Sequence, residues 1–215
     1  MKLLKEERGS VIIYFLGLLG LVAVLFLFLT NIGRAFVVNN HVANVAEQAA
    51  FAATAVYIER TNDVIEQYDE WLTSHPFFEL WGLEPVGELV EERHNYYRGS
   101  NYGENQAYIM ALNDVLPDEI NSRYRFRNMM RNQVGGIGDY SLYSEIIRIL
   151  NSNEGDFIMD SSNTYFVLSD TDWRIEVTTT IEFERVAGGD IINAKSHQYE
   201  RTGYGPKLTY LEYVY

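Results

Sequence analysis

Residues 11–29 read VIIYFLGLLGLVAVLFLFL, and this stretch decides the fold. No Asp, Glu, Lys, Arg or His occurs from Gly9 to Gly33. About 20 apolar residues in a helix cross the hydrocarbon core of a bilayer, because each residue advances the helix by about 1.5 Å. A soluble helix of this length would carry a polar face, which this stretch lacks. The sequence therefore predicts one membrane-spanning helix over residues 11–30.

Basic residues set the expected orientation of this helix. Lys2, Lys5 and Arg8 precede the span, whereas Arg34 alone follows it closely. Positive residues that flank a span stay on the cytoplasmic side. We therefore expect residues 1–10 to form a cytoplasmic head, and the rest of the chain to lie outside a cell membrane that the protein crosses once.

A cleaved signal peptide is the alternative interpretation of the N-terminus. The apolar part of a signal peptide has about 7–15 residues, and a small-x-small cleavage site follows it. Here the apolar run is longer, and it continues into Asn31-Ile-Gly-Arg34 without such a site. These features favour a retained anchor.

The helix is expected to continue well beyond the membrane. No proline occurs before Pro76, and residues 34–57 are rich in helix formers, so the sequence predicts one helix from about Val11 to Leu72. One face of its extension, residues 31–75, carries small apolar residues at spacings of three and four. This helix-packing seam consists of Ala35, Val38, Val42, Val45, Ala49, Ala52 and Val56.

The sequence allows two hypotheses for what packs against the seam. Small side chains let helices approach closely, so one hypothesis packs the seam against copies of the protein or sister subunits in a helical bundle. The seam begins where the bilayer span ends, which favours this hypothesis. The alternative is that the stripe packs on the protein's own globular domain, as the apolar face of any amphipathic helix does.

The charge distribution argues against several partner classes. Of the 17 basic and 30 acidic residues, 13 and 28 follow Arg34, which gives that part a net charge of −15. Nucleic-acid binding normally requires a basic surface, so we predict no nucleic-acid partner. There is no cysteine, which excludes disulfides, thiolate metal sites and cysteine nucleophiles. The 16 tyrosines suit contact surfaces that are partly wet, or ordinary half-buried positions.

Residues 76–215 are expected to fold as an extracytoplasmic α+β domain. Pro117 is expected to end a helix there, because proline removes a backbone hydrogen bond and clashes with the preceding turn. A further helix is expected after an N-cap at Ser141. The other short helices between breakers are predicted over Val86–Tyr97, Asn105–Leu116 and Asp118–Gln133.

The second half of this domain changes to a period of two. From Trp173 to Glu184 apolar and polar residues alternate, which predicts a half-buried strand. Ala187–Asp190 predicts a hairpin turn into a strand over Ile191–Arg201, and Lys207–Tyr215 is expected to return as another strand. With Tyr165–Leu168, the sequence predicts a three- to four-stranded antiparallel meander at the C-terminus.

Residues that carry chemistry are sparse. Asp160, Ser162 and Thr164 match the D-x-S-x-T pattern of a metal-ion-dependent adhesion site, but only 51 residues follow, too few for the von Willebrand factor A domain that such a site opens. A polar turn is the better interpretation. Asn151–Asp156 has the composition of a calcium loop, yet Ser162 stands where the bidentate acid belongs. We therefore predict no catalytic residue, no cofactor and no metal site.

Three N-terminal features resemble a known family. They are Arg8-Gly9-Ser10 before the span, Asn31-Ile-Gly33-Arg34-Ala35 after it, and the alanine-rich run Val42–Ala55. Over about residues 5–57 the chain resembles the TadE/TadG-like proteins of the tight-adherence (Tad, or Flp) branch of type IV pilus machinery. The resemblance implies a structural minor pilin or pseudopilin of a bacterial cell membrane. Its N-terminal helix would enter a filament bundle and its C-terminal sheet would lie outside, in the lollipop shape of a pilin. The implied partners are other pilin-like subunits and the pilus assembly platform.

One position departs from the processed members of this class. They are cut after a glycine and carry a glutamate at the fifth mature position, whereas cutting after Gly9 would place Tyr14 there. A chain without that carboxylate cannot neutralise a neighbour's terminal amine in an apolar bundle, so we expect a component present in few copies. The alternative function is a single-pass anchored binding or sensory protein that uses the tyrosine-rich ectodomain.

Overall fold

The first helix of the protein, α1, runs from Glu7 to Thr73 without a break. Its 67 residues make it about 100 Å long at 1.5 Å per residue. This confirms the prediction of one long N-terminal helix, and the absence of proline before Pro76 is the local reason. The structure is a computed structural model that describes residues 7–75, 82–152, 164–183 and 197–215.

Four shorter helices follow α1 among the described residues. They are α2 (Val86–Gly99), α3 (Glu104–Ser122), α4 (Tyr124–Gln133) and α5 (Asp139–Ser152). The prediction that Pro117 ends a helix is wrong, since Pro117 lies inside α3. The buried stripe of α3 continues past it to Ile120, and this packing outweighs the roughly 3 kcal/mol that an interior proline costs.

The sheet is a three-stranded antiparallel meander in the order β1-β2-β3, which confirms the predicted α+β class. In its register, Val177 pairs with Phe166 on one side and with Gly203 on the other. Its strands are β1 (Tyr165–Ser169), β2 (Arg174–Phe183) and β3 (His197–Tyr204). Three sequence predictions lie wholly or mostly outside the described residues: the turn at Ala187–Asp190, the pair Asp160 and Ser162, and the calcium-like loop Asn151–Asp156.

The C-terminal segment is not a strand, so the prediction for Lys207–Tyr215 is wrong. Thr209–Tyr213 forms a 3₁₀-helix that packs on α3. The backbone N–H of Leu208 donates to the carbonyl oxygen of Trp173 at 2.7 Å, which joins the segment to the start of the sheet. The buried side chains of this segment follow a helical rather than an alternating spacing: Leu208, Tyr210, Leu211 and Val214.

The hydrophobic core is built around the upper part of α1, from Val38 to Leu72. Strands β2 and β3 pack on this part of the helix, as do α2, α4 and α5. The ring of Tyr68 lies 5.1 Å from that of Phe126 in α4, centroid to centroid. The N-terminal helix is therefore also the central helix of the domain, and the candidate site lies on its surface.

Candidate functional site

The lower part of α1, residues 11–37, has its large apolar side chains exposed on the surface of the protein. Each large apolar side chain from Val11 to Leu29 is between 49% and 77% exposed. By length and composition the helix is able to cross a membrane, and its most apolar window is not buried by any described part of the protein. So large an apolar surface is unfavourable in water, so lipid or another protein must cover it.

The upper part of α1 carries the predicted seam, and the middle of the seam is buried inside the same chain. Four of its residues are at most 1% exposed: Val38, Val42, Val45 and Ala49. The other three are half-buried: Ala35, Ala52 and Val56. The middle of the seam therefore packs within the subunit, which is the alternative hypothesis that the sequence left open.

Gly203 in β3 and Gly205 just after it lie directly against small residues of α1 that flank the seam. A Cβ placed on Gly203 would overlap the helix backbone at Ala46. A Cβ on Gly205 would overlap the hydroxyl of Thr54 and lie 3.1 Å from the carbonyl oxygen of Ala50. The strand thus crosses α1 in direct backbone contact, which requires glycine on the strand and small residues on the helix.

Hydroxyl groups fix the domain to the next turns of α1. Tyr210 and Thr61, both buried, share a hydrogen bond of 2.9 Å. Tyr108 of α3 donates a hydrogen bond to the side-chain oxygen of Asn62 at 2.6 Å. Burial raises the pKa of the Tyr210 hydroxyl, so this group stays protonated and able to donate. Side chains from α3 and from the C-terminal segment therefore hold this part of α1.

Near its upper end, α1 also caps α2. The Asp69 carboxylate accepts hydrogen bonds from the backbone N–H groups of Val86 at 2.8 Å and Gly87 at 2.7 Å. The first turn of a helix leaves such donors without partners, and a negative charge is favourable there. Burial raises the pKa of Asp69, and the two hydrogen bonds partly oppose this effect. Asp69 thus fixes the start of α2 on α1.

A stretch of α1 that includes both the span and the seam also matches a known protein family. The model of the family described as putative Flp pilus-assembly TadE/G-like matches residues 9–56. We call residues 9–56 the TadE/G-like segment because they are similar to this family. This match confirms the resemblance found in the sequence. With the open apolar helix, it indicates a membrane-anchored protein associated with the Tad pilus. The comparisons with curated proteins and with solved structures found no match.

The TadE/G-like segment contains both the open span and all seven seam residues, and it ends inside α1. The globular domain that covers the seam lies outside the family match. Sequence reasoning missed Gly203 and Gly205, which contact α1 beside the seam, at Ala46, Ala50 and Thr54. Two glycines two positions apart lie on one face of a strand, which is a signal of close backbone approach.

A tyrosine cluster lies at the α2–α3 turn, away from the TadE/G-like segment. The ring of Tyr97 stands edge-on to Tyr96 at 5.4 Å and to Tyr102 at 6.2 Å, centroid to centroid. The guanidinium of Arg93 lies 5.8 Å from the Tyr96 ring. Tyr96 and Tyr102 are exposed, and exposed aromatic clusters are typical of contact surfaces.

The described residues offer little catalytic or metal-binding chemistry. Across the four described ranges, no group of three or more His, Asp and Glu side chains is arranged to hold a metal ion. Thr164 belongs to the adhesion-site pattern, and its hydroxyl lies 3.1 Å from that of Thr179 in β2. This hydroxyl contact is within the sheet, which accords with a structural role for Thr164.

Proposed function

We propose that this protein is a structural, minor-pilin-like subunit of a Tad-type pilus or of its assembly machinery. The observation that carries the proposal is an open apolar span, Val11–Leu29, within a TadE/G-like segment. A span that no described part of its own domain covers is free to pack on the helices of other subunits. The subunit would therefore act as a structural part and not as an enzyme.

The contact with other subunits is assigned to the lower part of α1. The middle of the seam is already buried within the subunit, and beside it Gly203 of β3 lies against Ala46. No described residue lies within 4 Å of the positions that a Cβ would take on Gly17 and Gly20, so a second helix has room to approach there. In this proposal the seam attaches the domain to α1, and the open span attaches the subunit to its neighbours.

The same proposal assigns the subunit a low copy number. If the chain is cut after Gly9, Tyr14 stands at the fifth position, and no carboxylate follows before Glu47. Successive copies could not neutralise each other's terminal amines in the apolar bundle, where an unpaired charge is unfavourable. The protein is therefore proposed as a tip, base or initiation component that cooperates with other pilin-like subunits and the assembly platform.

Mass spectrometry of sheared filaments and of cross-linked membrane complexes tests this function. The expected result is this protein in small amounts with pilin-like subunits, or in a complex with the assembly platform. Recovery as the dominant filament subunit, cleaved after Gly9, would contradict the low copy number. Absence from both filaments and platform complexes would contradict the pilus role itself.

A second function is favoured by the tyrosine cluster of Tyr96, Tyr97 and Tyr102. An exposed aromatic group on an anchored ectodomain suits a binding or sensory protein. Substitution of Tyr96 and Tyr102 by alanine separates the two functions. It should leave pilus association unchanged under the first proposal, and should abolish ligand or surface binding under the second.

A further inference from the structure

Three exposed apolar side chains lie on α1 just above the predicted span. Ile32, Phe36 and Val37 are 65%, 65% and 60% exposed. We call these three residues the collar. They lie beyond Leu29 on the same unbroken helix, so the apolar surface of the span continues into them.

The opposite side of the helix is covered at this level. Asn31, Arg34 and Ala35 are half-buried, and Val38 is the first fully buried residue of α1. The helix therefore has one face toward its own domain and one open apolar face. Past the collar, the next exposed residue is Asn40, which is polar.

The length of α1 from Val11 to Val37 indicates what covers the collar. The polar residues within this length are Thr30, which is exposed, and Asn31 and Arg34, which are half-buried. The 27 residues from Val11 to Val37 span about 40 Å, which matches a bilayer with its headgroup layers, whereas residues 11–29 match the hydrocarbon core alone. At 3.6 residues per turn, the collar spreads over roughly 140° of the helix circumference. One partner helix covers a narrower stripe, whereas lipid covers any width.

We infer that the collar contacts the outer headgroup layer of the membrane, so that the globular domain begins at the membrane surface without a free stalk. This inference rests on the anchoring of the helix in a bilayer, and it holds whether or not the protein is a pilus subunit. It moves the membrane boundary from about residue 30 to about Val37. The seam then starts at the lipid surface.

Two single-cysteine variants test this inference, because the natural chain has no cysteine. Phe36→Cys places a label in the collar. Phe51→Cys is the matched control, since Phe51 is also exposed, at 54%, and lies about 22 Å further along the same helix. Each variant is labelled with a fluorophore and reconstituted in phosphatidylethanolamine–phosphatidylglycerol vesicles that contain a small share of headgroup-spin-labelled lipid. Thermal unfolding confirms that both variants keep the fold.

The expected result is loss of most fluorescence at position 36 and little loss at position 51. Three results would overturn the inference. The first is that position 36 is quenched by iodide in water and not by the labelled lipid. The second is equal quenching by lipid at both positions. The third is shielding of position 36 from both quenchers together with energy transfer between subunits, which would make a second copy the occupant.

Discussion

The lower part of α1, residues 11–37, and the upper part, residues 38–72, are one continuous helix with different surroundings. The lower part carries large Leu, Ile and Phe side chains that the described part of the domain leaves open, and the upper part begins with small residues, of which Ala46 lies against β3. The size of the side chains in each part of the helix corresponds to what packs against that part. Large side chains face lipid or a partner helix, whereas small ones admit the backbone of β3 at Gly203. An alanine-rich helix face is thus no sign by itself of contact between subunits.

Ala49→Trp is the substitution with the largest expected effect. Ala49 is fully buried, so an indole there should destabilise the domain by more than about 3 kcal/mol through overpacking. The expected observation is loss of the cooperative thermal transition. Ala55→Trp, at an exposed position one and a half turns further along, is the control and should keep the fold. A folded Ala49→Trp variant that loses its partners would assign the seam to contact between subunits.

Gly203→Ala tests the contact between strand and helix with a single carbon atom. The added Cβ overlaps the backbone at Ala46, which side-chain rotation cannot relieve, so we expect a loss of about 2–3 kcal/mol in the free energy of unfolding. Gly99→Ala is the matched control, because nothing lies within 4 Å of its Cβ position. Chemical denaturation in detergent measures both. Equal stability of the two variants would show that β3 does not lie against α1.

Val42→Ala and Val22→Ala compare the same truncation in the two parts of the helix. Val42 is fully buried and Val22 is 55% exposed. Loss of two buried methyl groups should lower the free energy of unfolding by about 2 kcal/mol at position 42, and by less than about 0.5 kcal/mol at position 22. Thermal unfolding in nanodiscs gives the comparison. The reverse order would mean that the lower part is the covered one.

Asp69→Asn should change stability the least, and we expect this change to show as a different dependence of the free energy of unfolding on pH. Burial raises the pKa of Asp69 in the folded state, so its contribution to stability is full below the unfolded pKa, near 4, and is lost as pH rises through the folded pKa. The variant lacks this titration, so its stability should fall less between pH 4 and neutral pH. Denaturation curves at several pH values, with the exposed Glu212→Gln variant as control, measure the difference. If the stability of the Asp69→Asn variant falls with pH as steeply as that of the natural protein, the raised pKa of Asp69 is contradicted.

Local patterns predicted the long helix and the meander because each depends on spacing within the element. The same reasoning failed at Pro117, where the buried stripe of α3 outweighs the local preference. It also failed at Lys207–Tyr215, where β-forming tyrosines lie in a 3₁₀-helix because Tyr210 and Leu211 fill the core. In both places tertiary packing overrides propensity.

The contact of β3 with the helix face beside the seam was not predictable in the same way. Ala46 and Gly203 are far apart in the sequence, and the heptad spacing of a helix face is the same for a sheet, a neighbouring helix or a sister subunit. The spacing predicted that the face is packed, and only the three-dimensional structure shows what packs there. The exposed collar residue Phe36 was missed because it follows the uncharged window and stands beyond Arg34.

Site-specific photo-cross-linking in cells that assemble the pilus tests most directly whether the lower part of α1 faces partners and the upper part faces its own domain. A photoreactive phenylalanine analogue is placed at Phe28, which is 63% exposed, or at Tyr57, which is 2% exposed. We expect position 28 to cross-link to another pilus protein, and position 57 to yield only products within the same chain. Cross-links to a partner from position 57, with position 28 attached only to lipid, would contradict this arrangement.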